Sequence, residues 1–335
     1  MVKVAVLVNP YSGRDIRRVS AYAGTVTNWE RVRALRMFIQ GLSVTPVDEV
    51  VFYPDPDGVS EYVIEEFRGR APMEMFTAQM VVEGTWADTA RFTEIAWREG
   101  AGAMLVLGGD GTVRAAAKAF RDVKLLPISM GTNNAVPYAL DPTHAGIVAG
   151  YVAWRGSSRG VYRAKRVVVR YEGGVDLGLV DLAFTTHGFV GARAVLDVGM
   201  VEEVYMTMGT PENVGLTSIL GYLRPISRRE PLASKVVLGR GFRTVALLAP
   251  GVVREVGVRE VRVLKLPYRE GRDVDYTLLS FDGERDLVVR GQRLDILIDD
   301  AGPPIIDPHA VLREMVEEGV FTRGLSAGAK RLNTS

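Results

Sequence analysis

Along residues 1–155, short apolar runs alternate with stretches whose apolar residues recur at helical spacing. That is the pattern of a parallel sheet flanked by helices. Val4–Val8 predicts a first strand and Trp29–Gln40 a helix after it. Val50–Tyr53 predicts a second strand, closed by Pro54-Asp55-Pro56-Asp57-Gly58, and Ser60–Phe67 another helix. Trp86–Trp97 reads as an amphipathic helix feeding a strand at Ala103–Leu107. Alanine-rich Thr112–Phe120 predicts a helix, Leu125–Ile128 a short buried strand, and His144–Trp154 the last helix of this half.

After Arg155-Gly156-Ser157-Ser158-Arg159-Gly160 the period falls to two, as in antiparallel strands. Strands are expected over Tyr162–Tyr171, Leu177–Thr186, Lys235–Leu238, Thr244–Leu248, Val258–Leu264, Tyr276–Ser280, Asp286–Val289 and Leu294–Ile298. Ala192–Tyr205 and Leu216–Leu223 read as helices between them. Pro308–Glu318 reads as a closing helix, in a segment 305–325 able to pack back on the first domain. The expectation is an open α/β domain over 1–155 and a mostly antiparallel β domain over 156–304. The cleft between them is the default ligand site.

Composition removes several function classes. The chain has 335 residues, 47% hydrophobic and 24% charged, which suits two globular domains. A net charge of +1 gives no broad nucleic-acid footprint. No apolar run approaches the ~18 residues of a membrane span. The apolar N-terminus runs into Asn9-Pro10 without a small-residue cleavage site. A cytoplasmic protein is therefore expected, with no membrane or nucleic-acid partner. Cysteine is absent, which excludes disulfides and thiolate metal sites, and three scattered histidines argue against zinc. Scarce Asn and Gln with abundant Arg fit a thermophilic source.

The candidate chemistry lies in turns after strands. Gly108-Gly109-Asp110-Gly111-Thr112 follows one strand and opens a helix. Its glycines remove Cβ atoms where a ligand would approach backbone, and the helix N-terminus favours an anion. Thr112 is placed to cap that helix. Asp110 then has a task beside phosphate: to coordinate Mg²⁺ or to accept a proton from an attacking hydroxyl. The structural alternative is a tight turn with Asp110 as a cap. Gly131-Thr132-Asn133-Asn134 also follows a buried strand, with amides suited to ribose or phosphate oxygens, or to a purely local turn. Asn9-Pro10-Tyr11-Ser12-Gly13 ends the first strand, and Ser12 and Gly13 could cradle another phosphate. The P-loop, Gly-x-Gly-x-x-Gly and Gly-x-Ser-x-Gly patterns do not occur.

In the second half, Phe281-Asp282-Gly283-Glu284 reads as an Asp-Gly hairpin turn, or places Glu284 in the cleft as a base or beside a metal. Phe189–Arg193 and the loop Arg224-Pro225-Ile226-Ser227-Arg228-Arg229 offer cations for phosphates, the latter equally a solvated loop. His187 is a strand-end or catalytic residue. The methionines over 200–208 read as core.

Together, Asn9-Pro10-Tyr11-Ser12-Gly13, Gly108-Gly109-Asp110-Gly111-Thr112 and Gly131-Thr132-Asn133-Asn134 resemble the superfamily of NAD kinases, diacylglycerol kinases and sphingosine kinases. Residues 9–18, Gly131–Pro137, Phe189–Arg193 and Leu223–Pro231 are most similar to its acetoin-catabolism protein X branch. The resemblance implies a Rossmann-like N-terminal domain, a β-sandwich-type C-terminal domain, ATP and Mg²⁺ as cofactors, and a dimer or tetramer. It implies Asp110 as the catalytic carboxylate and metal contact. Gly108, Gly109, Gly111 and Thr112 would lie around the phosphates, and Asn133 and Asn134 at the nucleotide. Arg193 would stabilise charge on the transferred group. The Asn-Glu pair by which NAD kinases hold the acceptor has no counterpart: Glu212-Asn213 is reversed and lies in a Pro-containing loop. The leading expectation is ATP- and Mg²⁺-dependent phosphorylation of a hydroxyl on a small molecule, NAD⁺ to NADP⁺ first among them. A lipid, sphingoid-base or polyol kinase and a non-catalytic nucleotide sensor are the alternatives.

Overall fold

The computed structural model describes residues 1–9, 24–119, 121–130, 134–185, 198–283 and 285–323. The first half runs β1 (Lys3–Val8), α1 (Asn28–Leu42), β2 (Glu49–Phe52), α2 (Val59–Phe67), β3 (Glu74–Thr77), α3 (Trp86–Arg98), β4 (Ala103–Leu107), α4 (Asp110–Ala117), β5 (Leu125–Ile128) and α5 (Pro142–Arg155). The second half runs β6 (Val161–Arg163), β7 (Arg166–Tyr171), β8 (Gly174–Gly178), β9 (Asp181–Thr185), β10 (Val201–Met206), α6 (Thr217–Leu223), β11 (Leu232–Ala249), β12 (Val252–Lys265), β13 (Tyr268–Phe281) and β14 (Arg285–Asp299). β15 (Pro304–Ile306), α7 (Pro308–Glu317) and α8 (Val320–Arg323) follow.

One sheet has the order β3-β2-β1-β4-β5-β15-β6, with β1 to β5 mutually parallel. β15 joins it parallel to β5, after the chain has traversed the whole second sheet. The second sheet is antiparallel, in the order β12-β11-β10-β9-β13-β14-β7-β8. This is the expected α/β domain followed by an antiparallel β domain. No helix among the described residues is long and apolar enough to cross a membrane.

The structure corrects several expected elements. Tyr162–Tyr171 is two strands in different sheets, broken at Ala164-Lys165, and Leu177–Thr186 breaks at Leu179-Val180. The expected helix Ala192–Tyr205 lies partly outside the described residues. Its described part is a 3₁₀ turn, Val198–Met200, and strand β10. β10 lies between β9 and β11, with Val201, Val204, Tyr205 and Met206 all buried, so alternation is lost and the run mimics a helix face. β3 escaped notice because an edge strand of four half-exposed residues carries little pattern.

Among the described residues, four buried clusters form the core. Val6, Phe38, Leu42, Val148 and Tyr151 fill one face of the parallel sheet, where Ile306, Val311 and Met315 of the returning segment complete the core. On the other face the core is shared: Val106, Val113 and Ala116 pack with Val168, Leu177, Leu179 and Met208 of the second half. A third cluster, with Phe184, Tyr205 and Phe281, lies within the antiparallel sheet, and a fourth lies under α6.

α1 and α5 approach backbone to backbone at Gly41 and Gly146. A Cβ on Gly41 would lie 2.0 Å from the Thr143 carbonyl oxygen, and one on Gly146 would lie 2.1 Å from that of Phe38. Neither carbonyl can yield without breaking its helix. Gly146→Ala should therefore destabilise by about 1–3 kcal/mol despite alanine's higher helix propensity. Urea unfolding would show it as a lower midpoint at unchanged slope.

Candidate functional site

In the parallel sheet the chain moves one way from β1 to β3 and the other way from β4 to β5. The reversal falls between β1 and β4, and ligands of open α/β sheets sit outside the strand ends at such a point. Asn9 ends β1 and Gly108 ends β4. The Asn9 backbone amide donates to the Leu107 carbonyl at 3.3 Å, and Asn9 Nδ2 donates to Thr112 Oγ1 at 2.9 Å. The switch point is thus bridged by two residues from the first and second glycine-containing motifs.

Thr112 does not cap α4, contrary to expectation. The helix begins at Asp110 with Gly109 as its cap residue and no side-chain cap bond. One turn in, buried Thr112 packs back on the strand end. A Cβ on Gly108 would lie 2.6 Å from its Oγ1, so this glycine serves strand–helix packing. Asp110, in the first turn, complements the helix dipole.

The Asp110 carboxylate reaches across to the next loop. Oδ1 accepts from the Ala135 amide at 3.1 Å and the Val136 amide at 2.7 Å, and Oδ2 accepts from Ala135 at 2.9 Å. The chain leaves β5 at Ser129 and returns beside it at Tyr138: the Ser129 amide donates to the Tyr138 carbonyl and the Tyr138 amide to the Pro127 carbonyl, both at 2.9 Å. Asn134 Nδ2 donates to Ser129 Oγ at 2.7 Å and closes the loop's base. Asn9, Gly108, Gly109, Asp110, Gly111, Thr112 and Asn134 therefore converge on one crevice. Ser12, Gly13, Gly131, Thr132, Asn133, His187, Arg193 and Glu284 lie outside the described residues.

The second half supplies the rest. Arg228 donates from its two terminal nitrogens to the Ala135 carbonyl at 2.5 Å and the Val136 carbonyl at 2.9 Å, and its guanidinium lies 4.5 Å from the Tyr138 ring centre. Beneath it, buried Lys165 donates to the Ser227 and Leu232 carbonyls at 2.8 and 2.7 Å, fixing both ends of the Arg228 loop. Arg229 pairs with Asp307 at 3.2 Å. Arg228 is therefore turned onto the Ala135 and Val136 carbonyls, while Arg224, Pro225, Ser227 and Arg229 of the same loop are exposed.

A second tie grips α4. Arg114 Nε donates to the Leu177 carbonyl at 2.5 Å. Buried Asp176 sits 3.0 Å from an Arg114 nitrogen and 2.6 Å from Lys118 Nζ. Burial opposes ionisation of Asp176, yet Arg114 and Lys118 hold its carboxyl below the usual range. Arg114 also stacks 4.9 Å over Phe281.

Asp282 is a turn residue, with φ 54° followed by Gly283 at 65°, but its carboxylate is structural as well. It accepts from the Leu179, Val180 and Asp181 amides at 2.8–3.1 Å. Burial pushes its carboxyl up, against Arg114 and those amides. Asn213 of the reversed Glu-Asn pair accepts from Thr210 at 2.8 Å in a local turn. Among the described residues no group of three or more His, Asp or Glu is arranged to hold a metal. Asp110 faces amides instead, so a protein-built Mg²⁺ site does not fit the described residues.

Arg114, Lys118 and Asp176 were missed at the sequence level. An arginine within an alanine-rich helix was the available signal for the first. Nothing local pairs position 176 with it.

Residues 39–153 match the family model of the ATP-NAD kinase N-terminal domain, and residues 165–301 that of the acetoin catabolism protein X C-terminal domain. The acetoin catabolism protein X of Cupriavidus necator is 33% identical over 302 residues, covering 85% of this chain and 84% of that protein.

The buried Lys165 ammonium has a distinct pH signature. Burial lowers its pKa to about 8 against the ordinary 10.5, with Glu230 opposing. Between those values the unfolded chain holds the proton and the folded chain does not, so this group's contribution to stability rises with pH from about 8 to 10.5. Its span is up to about 3 kcal/mol. Unfolding of wild type and Lys165→Met in parallel should show that rise in the wild type relative to the variant.

Proposed function

The chain belongs to the acetoin catabolism protein X family, with an ATP-NAD kinase N-terminal domain, and from that premise we propose that it transfers a phosphoryl group from ATP to a hydroxyl of a small molecule, NAD⁺ being the first acceptor to test. The observation that carries this reading is the half-buried Asp110 carboxylate, held by the Ala135 and Val136 amides at the switch-point crevice. A carboxylate fixed beside a helix N-terminus suits a reaction in which phosphates approach the backbone and a nearby hydroxyl gives up a proton.

In this reading the acceptor hydroxyl attacks the terminal phosphorus in line. Its proton passes to Asp110, and ADP departs. The first turn of α4, at Asp110 and Gly111, would present its end of the helix dipole to the phosphate charge. Phosphoryl transfer needs positioning and charge neutralisation more than covalent chemistry, which matches a site built from loops and helix ends. Mg²⁺ belongs with the donor's phosphates, since it is usually held by substrate oxygens and water with few protein carboxylates. A sensor reading draws on the same described residues, because all of them serve binding as well as transfer.

The test is Mg²⁺-dependent ADP release from ATP, with and without NAD⁺, scored also for NADP⁺, on wild type and Asp110→Asn. NADP⁺ formation that falls by about 10²-fold or more in the variant, with ATP affinity kept, supports NAD⁺ phosphorylation. ADP release without NADP⁺ removes NAD⁺ and moves the assay to lipid, sphingoid-base and polyol acceptors. ATP binding without turnover, equal or tighter in Asp110→Asn, points to the sensor and sinks the kinase reading.

A further inference from the structure

We propose that Arg228 is a positioning residue for Asp110, acting from the second domain through the Ala135–Val136 peptides. As a statement about catalysis this rests on Asp110 being the proton acceptor; as a statement about geometry it stands alone. The two peptides whose N–H groups hold the carboxylate are flanked by the carbonyls that Arg228 holds. One segment is therefore gripped by an anion from the first domain and a cation from the second.

The arrangement strengthens both sides. A hydrogen bond to a charged donor is shorter and stronger than a neutral one, and a polarised carbonyl makes neighbouring amide donors stronger in turn. Arginine fits because its two terminal nitrogens reach two successive carbonyls at once, whereas lysine supplies a point charge. The guanidinium is further fixed by Tyr138 at 4.5 Å, and Tyr138 lies where the loop rejoins β5. Lys165 below and Arg229 beside it, on Asp307, hold the Arg228 loop to the body of the protein. A shift of the second domain is thus transmitted to Asp110 through a few short bonds. An arginine serving only as domain glue had no need to choose these two carbonyls.

The test uses full-length Arg228→Met, Arg228→Lys, Asp110→Asn and the double variant Asp110→Asn/Arg228→Met, with hydrogen exchange read at the Ala135 and Val136 amides. Arg228→Met should speed exchange there by about tenfold, and Arg228→Lys by less, with the amides of α5 unchanged. Asp110→Asn should speed the same amides. The double variant should exceed the faster single variant by little, because both act on one segment. Unchanged exchange in Arg228→Met, or fully additive effects, overturns the proposal. In the kinase assay Arg228→Met should lower kcat about tenfold while KM for ATP stays within about twofold, with partial rescue by lysine. A kcat left at the wild-type value overturns the catalytic half of the proposal. If wild type transfers no phosphoryl group, the proposed function fails, and the exchange data still decide whether Arg228 holds the Asp110 clamp. Should Arg228→Met not fold, Arg228→Lys carries the same comparison.

Discussion

The buried Asp176 carboxylate, caught between Arg114 and Lys118, is the constraint on which the rest of the molecule depends. It joins the helix that begins with Asp110 to the edge strand of the second sheet. Such an ion pair is poor evidence for net stability, because desolvating its charges offsets much of their attraction. Its value here is register. Any sliding of β8 along α4 would leave a buried charge unmatched, whereas the apolar contacts around it would tolerate small shifts. The shared core of Val113, Ala116, Leu177 and Leu179 provides the burial, and the ion pair selects one alignment within it.

That alignment makes the crevice a property of both halves. The first supplies Asn9, the glycine-rich turn and Asp110; the second reaches over with Arg228 to the loop that Asp110 holds. β15 reinforces the arrangement, since the chain returns to pair beside β5 and lays α7 against α5. Residues 134–138 are consequently pinned beside β5 at Tyr138, by Asp110 on one side and by Arg228 on the other. A ligand entering this crevice would meet the Ala135–Val136 backbone already held, so less conformational freedom is lost on binding.

Much of this was legible in the residues, for identifiable reasons. Strand–glycine–helix punctuation marked the turn at Gly108–Thr112, and period-two alternation marked the second domain. β10 was misread because burial on both faces removes the alternation by which strands are known. Thr112 was misplaced as a cap because position alone does not show that α4 starts two residues earlier. Asp176, Lys165 and the inward turn of Arg228 were not legible. Their partners lie tens of residues away, and only the packing of one sheet on the other brings them together.

Asp110 and Asp282 show how one chemical device yields two roles. Each carboxylate collects backbone amides from a neighbouring turn, Ala135 and Val136 for the first and Leu179 to Asp181 for the second. Asp282 is sealed in the hairpin with Gly178 packed against it, where burial pushes its carboxyl up and no ligand can reach. It braces the β8–β9 turn and hence Asp176 on the adjoining strand. Asp110 makes the same capture at the half-exposed mouth of the switch point, beside a helix N-terminus. Exposure separates the two: a carboxylate that orders a turn in the interior is scaffold, and one that does so at the rim is also open to a ligand.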